Sequence, residues 1–416
     1  MDYISKIRYT DNLNYMNKYK DRFNSDSTLK IQLRIKPYKC DKSYQLYYVY
    51  NNKTSLFVDE IRKNDALLKN LDAELPMAAK RAFLVNVISS ELKSTNDLEG
   101  VESSKETIAE TTKNLIDKKI SKNNKDRMIS MINSYYLLTI DNTLKEPQAP
   151  EDIRKIYDKI TESEIDNDNL PDGDLFRIGD VYLTKKGSPS GDYIHRGVIG
   201  EDEIKEHISD MLLFLENDSI PLLVRVAIGH YYFGYIHPFY DGNGRVGRFI
   251  SSLYINKEYN YLTAMSIARG CVIKKSDYYK AFKEANSEKM MGEMNYFIDT
   301  FFEILIEGQK DIIDNLYEKK HKLENSSILI YNDNRLNSEL SKCLLFMLTQ
   351  SYYFCYNLGI EREELIEYAI KENYPILRIK NELKSLEAAG LIVAKKKRPL
   401  IYALSNNYIN YIEEKN

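Results

Sequence analysis

His237-Pro-Phe-Tyr-Asp-Gly-Asn-Gly-Arg-Val-Gly-Arg248 places an imidazole, a carboxylate, a Gly-Asn-Gly turn and two guanidiniums within a dozen positions of this 416-residue chain. Each part has a physical reason. Proline at 238 disfavours the α region for the residue before it, so the apolar helix read from Pro221 to Ile236 should stop at His237 and leave the imidazole projecting from a turn. Phe239 is placed to pin that turn to the core. Gly242, Asn243 and Gly244 open backbone dihedrals closed to bulkier residues. Successive N–H groups there can converge on an anion at the start of the next helix, read as Arg245 to about Asn256. Arg245 and Arg248, three apart, share a face of that first turn, where both guanidiniums can offer paired donors to phosphate oxygens. Asp241 supplies a hard oxygen of the kind Mg²⁺ takes beside a polyphosphate. An imidazole near its ordinary pKa of about 6.5 is largely neutral at cellular pH and can accept a hydroxyl proton, which is the role read for His237. One competing pattern is contained in the same stretch. Gly242-Asn-Gly-Arg-Val-Gly247 reads as G-x-G-x-x-G, but that dinucleotide fingerprint must follow a β-strand, and here a long apolar helix ending in His-Pro precedes it.

At every defining position this segment resembles the signature of the Fic family, His-x-Phe-x-(Asp/Glu)-Gly-Asn-Gly-Arg-x-x-Arg. The resemblance implies a helical core in which the histidine deprotonates a Ser, Thr or Tyr hydroxyl of a target protein. That hydroxyl attacks the α-phosphorus of ATP, releasing pyrophosphate and leaving an AMP-modified protein. It assigns the base to His237, the Mg²⁺ ligand to Asp241 and the triphosphate cradle to Gly242, Asn243, Gly244, Arg245 and Arg248.

A second segment, Thr95-Asn-Asp-Leu-Glu99-Gly100, resembles the family's inhibitory pattern (Ser/Thr)-x-x-x-Glu-(Gly/Asn), with Asn96 and Leu98 where a serine and an isoleucine often stand. It follows an amphipathic stretch from Pro76 in which Ala79, Phe83, Val87 and Leu92 recur at helical spacing. The residues alone also read as a helix end capped by Gly100. Its N-terminal position resembles the second class of Fic proteins, in which the glutamate pairs with the second motif arginine and blocks the γ-phosphate. Glu99 with Arg248 is the implied pair, and Thr95 belongs to the same regulatory segment.

The resemblance extends over about residues 76 to 310. Gly173-Asp-Leu-Phe-Arg177 resembles the family's lead into its flap, and Val181–Thr184 and Tyr193–Val198, around Gly187-Ser-Pro-Ser-Gly191, read as two arms of a β-hairpin. In the family such a flap pairs with an extended segment of the target, and Ile194 and His195 are read as flap contacts. Tyr278, Tyr279 and Asn286 match a Tyr-Tyr pair and asparagine near the adenine; ordinary aromatic packing explains the same residues. His230, two turns before His237 on one helix face, reads as a hydrogen-bonded core histidine.

Composition agrees with a globular protein of two or three domains. A formal charge of −3 with 29% charged residues excludes a chain-wide nucleic-acid field. The four cysteines, Cys40, Cys271, Cys343 and Cys355, stand far apart, which points to a reduced, cytoplasmic setting. The N-terminus lacks an apolar signal core and no run is long enough for a membrane span. Abundant Lys, Asn, Ile and Tyr without Trp suggests an AT-rich bacterial genome.

The reading therefore divides the chain into four parts. Residues 1–75 form an extension with short β-strands, at Gln45–Tyr50 and Thr54–Val58 around Asn51-Asn-Lys53. Residues 76–310 form the helical core, its inhibitory helix at about 76–100, interrupted at Lys122–Lys125, at Asn142–Ala149 and at the flap. Residues 311–337 are a connector, and residues 338–416 are read as helices at Ser338–Gln350, Arg362–Lys371 and Pro375–Ala389, followed by β-arms Leu391–Ala394 and Leu400–Leu404. This last part resembles a winged helix-turn-helix, and Lys371–Leu404 carries eight basic against three acidic residues, a local balance that suits phosphate contacts. Yet Glu382 and Glu387 interleave with Arg378, Lys380 and Lys384, as on a solvated face. DNA binding, protein docking and a homodimer all stay open.

The expectation is a mainly α fold and a Mg²⁺- and ATP-dependent protein adenylyltransferase held back by Glu99, with self-modification as a side activity. It acts on a target protein docked at the flap. Two alternatives stand beside it: removal of AMP or use of another phosphate-containing donor at the same site, and a DNA-bound regulator that uses the core as a nucleotide sensor.

Overall fold

The computed structural model describes residues 2–117, 128–140, 144–184 and 193–415. Helices α1 (Ile4–Thr10) and α2 (Tyr15–Phe23) precede an antiparallel pair, β1 (Thr28–Ile35) and β2 (Tyr44–Val49), in which Thr28 faces Val49 and Ile35 faces Tyr44. The expected second arm at Thr54–Val58 is helix instead. Asn51 is extended and its side chain accepts the Thr54 N–H at 3.2 Å, a cap that starts α3 (Asn52–Ala73). Thr54, Ile61, Leu68 and Leu71 then form its buried face at helical spacing. Five residues of alternation were too few to separate the two periods. Backbone bonds from Tyr47 N–H to the Gly292 carbonyl (3.0 Å) and from Met294 N–H to the Tyr47 carbonyl (2.9 Å) tie β2 to the helical body.

The helical body contains α4 (Met77–Glu99), α5 (Lys105–Ile116), α6 (Ile129–Ile140), α7 (Pro150–Ile160), a small hairpin of β3 (Tyr182–Thr184) and β4 (Tyr193–Arg196), α8 (Glu201–Leu215), α9 (Leu222–Ile236) and α10 (Asn243–Ile255). It continues with α11 (Tyr261–Ala264), α12 (Ile267–Ile273), α13 (Lys275–Ala285) and α14 (Asn295–Tyr331). Helix α9 is buried at every position but Gly234, as an element that is apolar all round must be. Helix α4 stops at Gly100, which is left-handed with φ 77°. Its buried Glu91 accepts the N–H groups of Ala268 (2.8 Å) and Arg269 (3.3 Å), fixing α4 to the start of α12. The expected boundary at residue 311 is not a break, because α14 runs through it for 37 residues. Gly308 in α14 and Gly270 in α12 let these helices meet backbone to backbone. A Cβ at either would collide with a carbonyl of the other element, that of Ser266 or of Ile304.

Beyond α14 come α15 (Glu339–Phe354), β5 (Ile360–Glu361), α16 (Arg362–Lys371), α17 (Ile376–Ala388), β6 (Ile392–Lys397), β7 (Leu400–Leu404) and α18 (Asn406–Glu413), with an antiparallel sheet in the order β5-β7-β6. The three helices and two arms expected here are present; β5 and α18 were not expected, and a two-residue strand has no period to read. Gln350 Oε1 accepts the Ala79 N–H (2.9 Å) and the Phe354 carbonyl accepts Asn86 Nδ2 (2.9 Å), so α15 grips the first half of α4. Among the described residues no helix is long and apolar enough to cross a membrane, and all four cysteines are free. The interruption at Lys122–Lys125, residues 141–143 and the loop Gly187–Gly191 lie outside the described residues.

His230 sits inside α9 as a core histidine, with Nδ1 2.9 Å from Ser251 Oγ and Nε2 2.9 Å from Tyr278 Oη. Burial, aided by the charge of Arg248, pushes its pKa down to about 3. Below about pH 6.5 the unfolded chain binds a proton that the folded chain refuses. The neutral histidine's contribution is therefore complete above that pH and is lost as pH falls, by up to about 1.4 kcal/mol per pH unit. Glu91, raised to about 7 by burial, acts in the opposite sense, so a variant isolates the histidine. Between about pH 7 and 5, urea-unfolding free energy should fall more steeply in the wild type than in His230→Gln. Equal slopes would remove His230 as a source of acid sensitivity.

Candidate active site

Helix α9 ends where the sequence requires it to. His237 caps it in the left-handed region (φ 53°, ψ 61°), with its N–H on the Phe233 carbonyl at 3.0 Å. A non-glycine residue in that region costs free energy and persists only when its surroundings hold it. The holder is Arg177, whose side chain is wholly buried. Its guanidinium donates to the carbonyls of His237 (2.8 Å), Gly179 (2.6 Å) and Val198 (2.7 Å), and its own N–H donates to the Pro238 carbonyl (3.2 Å). The sequence marks Arg177 only as part of the lead into the flap; its work on the His237 turn was not legible. Phe239 is fully buried and stacks on Tyr157 with ring centroids 3.8 Å apart.

The Gly-Asn-Gly turn is tied by Asn243, whose side chain accepts the Phe239 N–H (3.0 Å) and donates to the Phe239 carbonyl (2.8 Å). Gly242 is left-handed at φ 82° and opens α10. Gly244 has room for no side chain, because a Cβ would run into the Glu99 carboxylate. That carboxylate is bound to Arg248 at 2.6 Å, and Arg248 also donates to Thr95 Oγ1 (2.7 Å) and to the Thr95 carbonyl (3.2 Å). Arg248 is buried and Glu99 is about one quarter exposed. Thr95 and Glu99, one turn apart on α4, thus hold one guanidinium between them.

Arg245 does not share this face. It is buried in an ion pair with Glu164, a residue the sequence reading did not single out. Arg248 lines the cavity, while Arg245 is drawn to Glu164 in the loop after α7.

Before the motif lies a cavity of about 240 Å³ lined by His237, Asn243, Gly244, Arg248 and Glu99, with Ile194 and His195 from β4 and Tyr278, Tyr279 and Asn286 from α13 and its end. Tyr279 donates to the Leu98 carbonyl (3.1 Å), and Asn286 accepts the Tyr231 hydroxyl (2.7 Å). Phe282 and Lys283 also line it and were missed, having no motif to mark them. The hairpin arms are shorter than expected, and β3 pairs with β4 so that Tyr182 faces Arg196. Ile194 is exposed on β4, whereas His195 is buried with Nε2 2.7 Å from the Tyr235 carbonyl. Burial pushes the His195 pKa down to about 4. His237 departs from the ordinary value expected for it: desolvation, then His195 and Arg177, push it down to about 3. A neutral imidazole keeps one unprotonated ring nitrogen as an acceptor.

Asp241 is exposed beside the turn, and its Oδ1 takes the Gly242 N–H at 2.6 Å. Its second oxygen fits a magnesium ion that takes one protein carboxylate and completes its shell with phosphate and water. Among the described residues there is no cluster of three or more His, Cys, Asp or Glu that could hold a metal alone.

Residues 147–255 match the model of the Fic/DOC family. Among solved structures, a Fic family protein from Desulfovibrio desulfuricans is similar at 17% identity, covering 86% of this chain and 98% of its own, with a TM-score of 0.48. Fic-1 from C. elegans is similar at 18% identity over 64% of this chain and 74% of its own, with a TM-score of 0.43. A Fic domain containing signaling protein from Bacteroides thetaiotaomicron is 17% identical over 62% of this chain and 97% of its own, with a TM-score of 0.41. By the family match, and with His237 and its turn inside the matched span, this chain carries a Fic/DOC domain over residues 147–255.

Proposed function

We propose that this protein transfers AMP from ATP to a hydroxyl of a target protein and that Glu99 restrains the reaction. Fic/DOC proteins are in general nucleotidyl-transfer proteins. The observation that carries the reading is a neutral imidazole and a buried guanidinium, His237 and Arg248, lining one cavity with a Gly-Asn-Gly turn between them. The free ring nitrogen of His237 accepts the proton of the attacking hydroxyl. The hydroxyl oxygen forms its bond to the α-phosphorus of ATP as the bond to the bridging oxygen breaks, and pyrophosphate leaves with that electron pair. N–H groups of the turn and Arg248 orient the phosphates. Asp241 would hold magnesium, which supplies neutralising charge to the phosphates when bound. Tyr278, Tyr279 and Asn286 shape the far wall for the base. A target segment would add to the hairpin edge beside Ile194.

Glu99 occupies the donors of Arg248 that an outer phosphate needs, and its carboxylate adds like charge beside it. AMP incorporation from α-labelled ATP with Mg²⁺ tests the whole reading. Glu99→Gly should raise labelling by about 10- to 100-fold, the equivalent of one charge-assisted hydrogen bond. Adding His237→Ala should lower it by about 10²- to 10⁴-fold. Full labelling in the double variant would sink the base assignment. Thr95→Val, which removes one of the bonds that orient Arg248, should raise labelling by about fivefold at most; no change would show that Glu99 acts without Thr95.

The depressed pKa of His237 has its own consequence. Its neutral form persists as pH falls through the ordinary imidazole range, so the acid limb of kcat/KM in Glu99→Gly should lie well below pH 6.5. An acid limb at or above that value would contradict the environment described for His237.

The second reading, a DNA-bound regulator, is favoured by one observation. On α17, Glu382 turns inward onto the Ser338 hydroxyl (2.9 Å) and Ser341. Of the solvated mixture of charges expected there, Glu382 alone is withdrawn, and Arg378, Lys380, Lys384 and Glu387 stay exposed, which leaves three basic side chains against one acidic one. Gel shifts with duplex DNA should then weaken steeply with salt; retention independent of salt, or none at low salt, would leave this face to a protein partner.

A further inference from the structure

Away from the catalytic cavity, where α5, α14 and the end of α15 meet, two lysines stand half-buried without an acidic partner. Lys105 begins α5, six residues after Glu99, and its Nζ lies 5.3 Å from the centre of the Tyr356 ring. Lys319, on α14, has its Nζ 5.8 Å from the centre of the Phe354 ring. Phe354, Cys355 and Tyr356 are consecutive, so both ammonium groups rest on one short stretch of chain. Among the described residues neither lysine makes an ion pair. The nearest acids are engaged or solvent-facing: Asp311 pairs with Arg269, Glu318 pairs with Lys322, and Glu106 is exposed on α5.

The same place holds two further irregularities. The Tyr356 hydroxyl is buried and has no hydrogen-bond partner, although an unpaired buried hydroxyl costs about 1–3 kcal/mol. Tyr356 and Asn357 are also both left-handed, each with φ 51°, a conformation that non-glycine residues adopt at a cost and that clusters at ligand sites. Burial, with Arg269 in the case of Lys105 and with Lys105 and Arg269 in the case of Lys319, pushes both pKa values down to about 8. Two positive charges without an ion pair and an idle hydroxyl have the donor character that an oxyanion requires. The buried Cys355 thiol, raised to about 12, adds no negative charge.

We propose that Lys105, Lys319 and the Tyr356 hydroxyl form a second anion site, suited to a phosphate group and separate from the catalytic cavity. A phosphate dianion would cancel both charges and join the segment after the inhibitory glutamate to α14 and to the stretch after α15. The proposal is independent of AMP transfer, since it concerns binding at residues that the reaction does not touch.

Equilibrium binding of inorganic phosphate to the full chain, at constant ionic strength, tests it. Arg248→Ala serves as the background, because it removes the guanidinium among the phosphate donors of the catalytic cavity. One saturable site should remain there, and Lys105→Gln or Lys319→Gln should weaken it by about tenfold or more. Lys105→Arg should restore binding if the loss reflects charge and not misfolding. Affinity should also fall as pH rises through about 8, where the lysines lose their protons. A phosphoserine peptide and pyrophosphate, run in parallel, distinguish a phosphorylated side chain from a free phosphate as the source. Loss of all binding in Arg248→Ala, binding indifferent to both lysine variants, or no saturable binding would overturn the site.

Discussion

The left-handed turn at His237 is the constraint on which the site depends. Proline at 238 disfavours continuation of the helix, and Arg177 holds the resulting strain by binding the carbonyls of His237 and Pro238 in the turn and that of Val198, two residues past β4. Because Arg177 also reaches Gly179 and Val198, the hairpin and the imidazole are parts of one bonded unit. A buried guanidinium is stable here because its donors meet carbonyl oxygens of fixed backbone. The histidine is thus oriented by the fold itself, which is what the proton acceptor of the proposed reaction would need.

The second constraint is the sharing of Arg248. Its guanidinium is buried on Thr95 and Glu99 from α4, and in the proposed reaction it would also have to serve phosphate oxygens in the cavity. Both cannot use the same donor. Breaking a buried pair by removing one partner generally costs about 3–5 kcal/mol, so a ligand that replaces Glu99 must restore much of that interaction. Helix α4 is itself held at two places remote from Glu99, by Gln350 at its start and by Glu91 on α12. The glutamate therefore sits at the end of an anchored lever, and the residues after it lead directly to Lys105.

Much of this was legible in the sequence because the decisive residues are local. A proline fixes the residue before it, glycines at 242 and 244 mark a backbone that must turn or be approached closely, and the apolar run before His237 could only be a core helix. The placement of Glu99 on Arg248 came through resemblance, and the geometry agrees with that pairing. What was not legible depends on distance in sequence. Glu164 takes Arg245 from 81 positions away, and Arg177 braces a turn 60 positions on. Thr54–Val58 failed for another reason: alternation over five residues is weaker than the cap supplied by Asn51. The inward turn of Glu382 required knowing that Ser338 and Ser341 lie beneath it, and no local pattern carries that.

The measurement that tests the account most directly is calorimetric binding of ATP and of ADP to the wild type and to Glu99→Gly, both with His237→Ala to prevent turnover. If Glu99 competes with the outermost phosphate for Arg248, the substitution should tighten ATP by about tenfold or more while changing ADP far less. Equal gains for the two nucleotides, or none for either, would contradict the claim that a carboxylate and a phosphate contend for one guanidinium.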